Sequence, residues 1–321
     1  MRLNPSIVLL TLLSLEGCSR NHQSASKGPL RLGFFPNLTH AQALVGWNEK
    51  LFQADTKIFN AGPAAMEALI GGSIDLCYVG AGPAINAYVR SQGQVRLIAG
   101  SASGGAILVS HSARQAEDLK GKRVGTPQLG NSQDIAFRSW LRQHGLDGRD
   151  NPSHNVSVIP MPNADLFTQF RVGQLEAVWV PEPWGTKLLQ EAHGHLMLDE
   201  RDLWKHHRFP TTVLIARVKT LDERPEEVRA ILEVHRALTE SSRTDPSGFA
   251  ERVNRAFARL TGSRLSEPLL RESIGRIDFT LDSMKEETAE IAEHAKFLGY
   301  LPSSDLAQFF DERLIARIRE R

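Results

Sequence analysis

Ile74-Asp75-Leu76-Cys77-Tyr78-Val79 is a largely apolar run that stops at Gly80-Ala81-Gly82-Pro83, and the helix-compatible stretch Ala84-Ile85-Asn86-Ala87-Tyr88-Val89 follows. A strand here aims a helix start at a ligand. Glycines without Cβ let that ligand approach the backbone, Pro83 suits a first helical turn, and the unpaired amides favour an anion. Gly80-Ala81-Gly82 is half of a dinucleotide fingerprint, but no complete Gly-x-Gly-x-x-Gly occurs, so the nucleotide reading is weak.

The same unit recurs on both sides. Leu30 to Phe35 is a strand followed by the turn Pro36-Asn37-Leu38-Thr39-His40 and a helix from Ala41; Thr56 to Phe59 leads through Asn60-Ala61-Gly62-Pro63 to a helix from Ala64. Three successive strand, loop and helix units predict a largely parallel sheet with ligand loops at its carboxyl edge. Val95 to Ala99 then runs into Gly100-Ser101-Ala102-Ser103-Gly104-Gly105, a crossing point, and a second alternating series begins. It comprises strands at Lys122 to Gly125 and Val156 to Ile159, helices at Ser132 to His144 and Ala164 to Val172, and Val178-Trp179-Val180 ending in Pro181-Glu182-Pro183-Trp184. A strand at Thr212 to Ala216 returns the chain to the first lobe. Everything beyond reads as helix packed on that lobe: one capped by Asp222 with Val228, Ile231, Leu232 and His235 on one face, and four more near 248–260, 267–276, 283–298 and 304–319.

The first residues point to export. Arg2 precedes an apolar core of nine residues, Ile7 to Leu15, where crossing a bilayer takes about twenty. Leu15-Glu16-Gly17-Cys18 resembles the lipobox of bacterial lipoproteins, which implies cleavage before Cys18 and its acylation. The expected division is a signal peptide over 1–17, a polar tether over 18–29, one lobe formed by 30–105 plus 214–321 and a second by 106–213. The product is expected in the cell envelope, lipid-anchored to a membrane. With Cys18 acylated, Cys77 has no disulfide partner and reads as a buried strand thiol. The 321-residue chain has net charge +1 and 41% hydrophobic residues, which gives no sign of nucleic-acid binding.

Four motifs in order carry a family resemblance: Gly33-Phe34-Phe35-Pro36-Asn37-Leu38-Thr39-His40-Ala41, the segment Ala61 to Leu69, the segment Tyr78 to Tyr88, and Trp179-Val180-Pro181-Glu182-Pro183-Trp184. Together they resemble the substrate-binding proteins of ABC importers for aliphatic sulphonates, nitrate and taurine, over nearly all of the chain after residue 29. The resemblance implies an α/β two-lobed clamp of the type II periplasmic-binding-protein kind, hinged by two strands, with a helical C-terminal part. It also implies a permease and an ATPase as partners; the chain itself is expected to be a monomer without a cofactor. Related clamps bind sulphonates, taurine, nitrate, bicarbonate, phosphonates or thiamine precursors.

Anion chemistry selects the candidate residues. Asn37, Thr39 and His40 in the first loop, Gly62 in the second, and Gly80 and Gly82 in the third bring helix amino ends towards the cleft, and Ser101 adds a hydroxyl at the crossing. Asn131, Ser132 and Gln133 supply the counterpart in the other lobe, with Asn131 or Ser132 as helix cap. Glu182 either holds the ammonium of a zwitterion or braces its own loop; Trp184 either shelves an organic tail or anchors packing. No metal site is expected: His193-Gly194-His195 and His206-His207 lack ligand spacing and read as surface residues of polar loops. No nucleophile elbow or phosphate loop is present, so an enzyme is not expected. Two readings stay beside transport: a ligand-sensing lipoprotein with the same clamp, and a homologue that binds or makes a thiamine pyrimidine precursor.

Overall fold

The computed structural model describes residues 28–60, 62–147 and 155–319. The signal peptide, Cys18 and most of the tether lie outside the described residues, as does Ala61.

Strand β1 (Leu30–Phe34), helix α1 (Ala41–Asn48), β2 (Ala54–Ile58), α2 (Gly62–Ile70), β3 (Leu76–Val79) and α3 (Ala81–Arg90) form the first alternating series. In β3 all four residues are buried, because helices cover both faces of the sheet. Cys77 and Val79 face the core under α2 and α3, while Leu76 and Tyr78 face the opposite one. β1 pairs in parallel with both β2 and β3.

The long strand β4 (Val95–Gly104) passes through Gly105 into β5 (Ala106–Ser110) and so from one sheet into another. Gly104 and Gly105 have φ of +71° and +73°, and a Cβ on Gly105 would lie 2.5 Å from Ile277, so the sharp crossing needs glycine twice. The second series follows: β6 (Arg123–Thr126), α4 (Ser132–Gln143), β7 (Ser157–Pro160), α5 (Asn163–Arg171), β8 (Ala177–Pro181), α6 (Trp184–Glu191) and β9 (His195–Asp199). β10 (Pro210–Arg217) then lies wholly in the first sheet, antiparallel to β3 and β4. The two crossings are tied side by side: Gly104 N–H donates to Phe209 O at 2.9 Å, and the Thr211 hydroxyl donates to Gly104 O. The sheet orders are β11-β4-β10-β3-β1-β2 and β7-β6-β8-β5-β9, both mixed.

The tail consists of α7 (Val218–Glu223), α8 (Pro225–Thr244), α9 (Pro246–Thr261), α10 (Glu267–Gly275), β11 (Ile277–Phe279), α11 (Lys285–Phe297) and α12 (Arg313–Arg319). Several details correct the expectation. Asp222 sits inside α7 and does not cap α8, whose first turn is opened by Pro225. The buried face of α8 does carry Val228, Ile231, Leu232 and His235; the His235 Nε2–H donates to Gly100 O at 2.8 Å, and Nδ1 accepts from the Tyr78 hydroxyl at 3.0 Å. β11, a three-residue edge strand on β4, interrupts the helices, and the expected helix over 304–319 shortens to α12. Nor does the tail pack on one lobe alone. Ile291, Ala292 and Ala295 of α11 join a core that also contains Ala84 of α3 and Phe137, Trp140 and Trp179 of the second lobe. His195 lies in β9 rather than in a loop, within 2.9 Å of the Ser110 hydroxyl, whereas His206 and His207 are exposed in a short 3-10 turn.

Candidate functional site

The parallel strands of both sheets deliver their carboxyl ends to one cleft. It encloses a cavity of about 70 Å³ and is walled by Asn37, Thr39, His40, Gly62, Gly80, Asn131, Ser132 and Gln133 among the expected residues. Phe35, Asn60, Gln128, Pro162, Asn163 and Thr211 also line it. The amino ends of α1, α2, α3, α4 and α5 all reach this wall. Those of α1, α3 and α5 carry no side-chain cap, whereas the Asn131 side chain accepts from Asp134 N–H at the start of α4. Among the described residues lining the cleft, none is Lys, Arg, Asp or Glu. The positive potential there comes from helix ends and amides rather than from formal charge.

His40 is the ionisable group on the wall, and it is buried. Burial pushes its imidazolium down to about 3, so the ring is neutral near pH 7. Its Nδ1 accepts from Phe35 N–H at 3.4 Å, which leaves the proton on Nε2 as a donor.

Gly80 and Gly82 meet the other lobe directly. Gly82 N–H donates to Ser132 Oγ at 3.0 Å, and a Cβ on Gly80 would stand 2.7 Å from the same oxygen. These glycines admit the amino end of α4 as much as they admit a ligand. The Ser132 oxygen is occupied as an acceptor, while its own O–H still has a proton to donate.

The structure does not bring Gly82, Ser101, Glu182 or Trp184 to the cleft wall. Ser101 is buried and its hydroxyl donates to Gln42 Oε1 at 3.0 Å. Trp184 is half-buried against Phe167, with ring centroids 6.3 Å apart and the Lys187 ammonium 5.3 Å from its ring. Glu182 is fully buried and braces the crossing. Its carboxylate accepts from Thr186 N–H and Oγ1 at 3.0 Å each, its Oε1 lies 3.4 Å from Arg276 Nε, and its backbone carbonyl accepts from Leu38 N–H of the first lobe. Asn60, Gln128 and Asn163, which the sequence reading does not single out, also line the cleft, each in or at the end of a loop that follows a parallel strand.

Burial pushes the Glu182 carboxyl from 4.5 up to about 7, against the pull of the Thr186 donors and Arg276. A raised acid binds more protons folded than unfolded, so this contribution is full below the unfolded value and is lost as pH rises through about 7. At about 1.4 kcal/mol for each tenfold change in acidity, the loss is about 3 kcal/mol. Glu182→Gln should flatten the stability profile between about pH 4.5 and about pH 7.5 in denaturant titrations; an unchanged slope in the variant would refute the assignment.

Two mixed sheets, two paired crossings and a cleft at the carboxyl strand ends define the two-lobed type II periplasmic-binding-protein fold. The chain belongs to the NMT1-like family, whose match runs over residues 23–255. Solved structures agree on the fold: the alkanesulfonate-binding protein SsuA from Xanthomonas axonopodis pv. citri bound to MOPS has a TM-score of 0.72 at 18% identity, covering 90% of this chain and 99% of that one. The periplasmic nitrate-binding protein NrtA from Synechocystis PCC 6803 gives 0.75 at 17% identity, covering 92% and 89%. In sequence, a Brucella abortus (strain 2308) protein provisionally named a binding protein is 27% identical over 215 residues; the match spans 64% of either chain, so this chain covers under two thirds of the relative's length.

Among the described residues no group of three or more His, Cys, Asp or Glu is placed to hold a metal ion, and no helix is long and apolar enough to cross a membrane. Cys77 is buried in β3, and burial pushes its thiol well up, away from reactivity.

Proposed function

We propose that this chain is the extracytoplasmic solute-binding component of an ABC importer, capturing a small sulphonate- or nitrate-like oxyanion between its lobes and delivering it to a membrane permease driven by an ATPase. It acts by binding and release, without chemistry, as a monomer tethered to the cell envelope through Cys18. The convergence of five helix amino ends on a cleft wall free of charged side chains carries this reading.

Magnitudes explain why both lobes are needed. Helix ends contribute about 0.3 to 1 kcal/mol each, so five supply about 1.5 to 5, whereas micromolar affinity takes about 8. The remainder comes from hydrogen bonds to the charged ligand, about 1.5 to 3 kcal/mol each, from donors such as the His40 Nε2–H and the Ser132 hydroxyl. The first lobe supplies α1, α2 and α3 and the second α4 and α5, so hinge closure about the paired crossings assembles the site. A zwitterion held through Glu182 has no support, since that carboxyl faces Thr186 and Arg276.

The six carboxamides Asn37, Asn60, Gln128, Asn131, Gln133 and Asn163 on an uncharged wall favour a second reading. Such a wall also suits a neutral heterocycle with donors and acceptors, such as a thiamine pyrimidine precursor. Calorimetry with nitrate, methanesulphonate, taurine and an aminopyrimidine separates the two. If the α4 amino end cradles an oxyanion, Asn131→Ala combined with Ser132→Ala weakens its binding at least about tenfold. Unchanged affinity would sink that assignment. Small-angle scattering should show a smaller radius of gyration at ligand saturation.

A further inference from the structure

Behind the cleft wall, in the second lobe, lies an acid that the binding reading does not use. Glu200 follows β9 in a short 3-10 turn, and none of its surface is exposed. The indole of Trp179 and the carboxamide of Gln133 flank its carboxyl group. Neither carboxyl oxygen, however, nor the Trp179 Nε1–H has a partner at hydrogen-bond distance. Among the described residues no ion pair reaches it, and the charge that acts on it is that of Asp199, which repels and is itself matched by Arg201 at 3.0 Å. Gln133 is the link outward: it sits in the first turn of α4, almost wholly buried, and lines the cleft.

We propose that Glu200 is a positioning residue for the ligand, and that through the Gln133 carboxamide it makes the cleft wall present an N–H donor there instead of a carbonyl. This rests on the oxyanion reading of the cleft. Once the three groups close to hydrogen-bond distance, their donors and acceptors allow one consistent arrangement. Trp179 is locked by its ring contacts to Phe137 and Trp140, at 5.6 and 6.4 Å, and its Nε1–H can only donate. A carboxylate buried without a cation is strongly disfavoured, so the group is the neutral acid, in keeping with the upward push of burial on it. Its carbonyl oxygen then accepts from Trp179. Its O–H donates to Gln133 Oε1, which turns the Gln133 NH2 towards the cleft. An ionised Glu200 would instead draw that NH2 to itself and leave a carbonyl facing the anion.

The test has a ligand-free arm and a binding arm. In the ligand-free protein near neutral pH, infrared difference spectra between wild type and Glu200→Gln should show the carbonyl stretch of a protonated acid, lost in the variant. In NMR spectra the Gln133 side-chain amide signal should move in Glu200→Met but little in Glu200→Gln. Absence of the acid band, or an unmoved Gln133 signal in Glu200→Met, overturns the proposal. With nitrate and methanesulphonate as probes, Glu200→Met should weaken binding about tenfold, and Glu200→Gln, which keeps one acceptor and one donor, by no more than about threefold. In a Gln133→Ala background Glu200→Met should have no further effect; additive losses overturn the proposal. If wild type binds neither probe, the oxyanion reading fails, and the ligand-free arm still decides whether Glu200 orients Gln133. Should Glu200→Met not fold, Glu200→Gln and the wild-type infrared band carry the decision.

Discussion

Replacing Gly80 by valine is expected to weaken oxyanion binding about a hundredfold or more while leaving the protein folded. Gly80 has φ −64° and ψ 150°, a conformation any residue adopts, so the backbone is not strained by a side chain. The obstacle lies across the cleft. A Cβ alone would stand 2.7 Å from Ser132 Oγ, inside contact distance, and the branched methyls of valine reach further towards α4. Ser132 can rotate away from an alanine, but valine must displace the amino end of α4, and with it the Gly82 N–H to Ser132 bond. Losing two ligand hydrogen bonds from that helix end, at about 1.5 to 3 kcal/mol each, gives about a hundredfold or more. Folding is affected less, because valine at the cap of α3 costs about 1 kcal/mol. Calorimetry should register the loss, scattering a larger radius of gyration in the presence of ligand, and thermal melting only a small change. A Gly80→Val protein that binds and closes like wild type would show that the lobes need not meet here.

That prediction concerns a partner that no local pattern reveals. The strand, loop and helix order around Gly80 was legible because each unit carries its own punctuation: apolar run, glycine or proline, then helix formers. The same local signals located the loops at Asn37 to His40, Gly62 and Asn131 to Gln133, and all three reach the cleft. What was not legible depends on long-range pairing. Ser101 turns inward because Gln42, 59 residues away, receives its hydroxyl, and Glu182 turns from the cleft because Arg276 and Thr186 take its carboxylate. β11 is three residues long and exists through its register with Ala102 to Gly104, so a helical neighbourhood concealed it. Asn60, Gln128 and Asn163 had a usable signal, their place at the carboxyl ends of parallel strands, but carboxamides in loops are ordinary turn residues and raise no alarm singly.

Asp134→Ala should be the most destabilising single change near the site, by about 4 kcal/mol. The carboxylate is fully buried in the first turn of α4, and its two oxygens serve four donors. Oδ1 accepts from Thr126 Oγ1 and from Arg138 Nε, both at 2.9 Å; Oδ2 accepts from Gly130 N–H at 2.9 Å and from the Tyr300 hydroxyl at 3.3 Å. Removing it strands a buried hydroxyl and a backbone N–H, and Arg138, partly exposed, recovers some of its solvation, which keeps the cost below the top of the range for breaking a buried pair. The consequence for function follows from where these donors sit. Thr126 and Gly130 belong to the segment whose Pro127, Gln128 and Asn131 line the cleft, and Tyr300 ties the start of α4 to the C-terminal segment. Asp134→Ala should therefore weaken ligand binding as well as lower the urea midpoint. Asp134→Asn separates the causes: it keeps the shape and the Oδ1 acceptor but opposes an NH2 group to Gly130 N–H, so its stability should fall between wild type and alanine. A loss below about 1 kcal/mol for Asp134→Ala, with binding intact, would mean that the loop is held by its own backbone and that this carboxylate is incidental to the site.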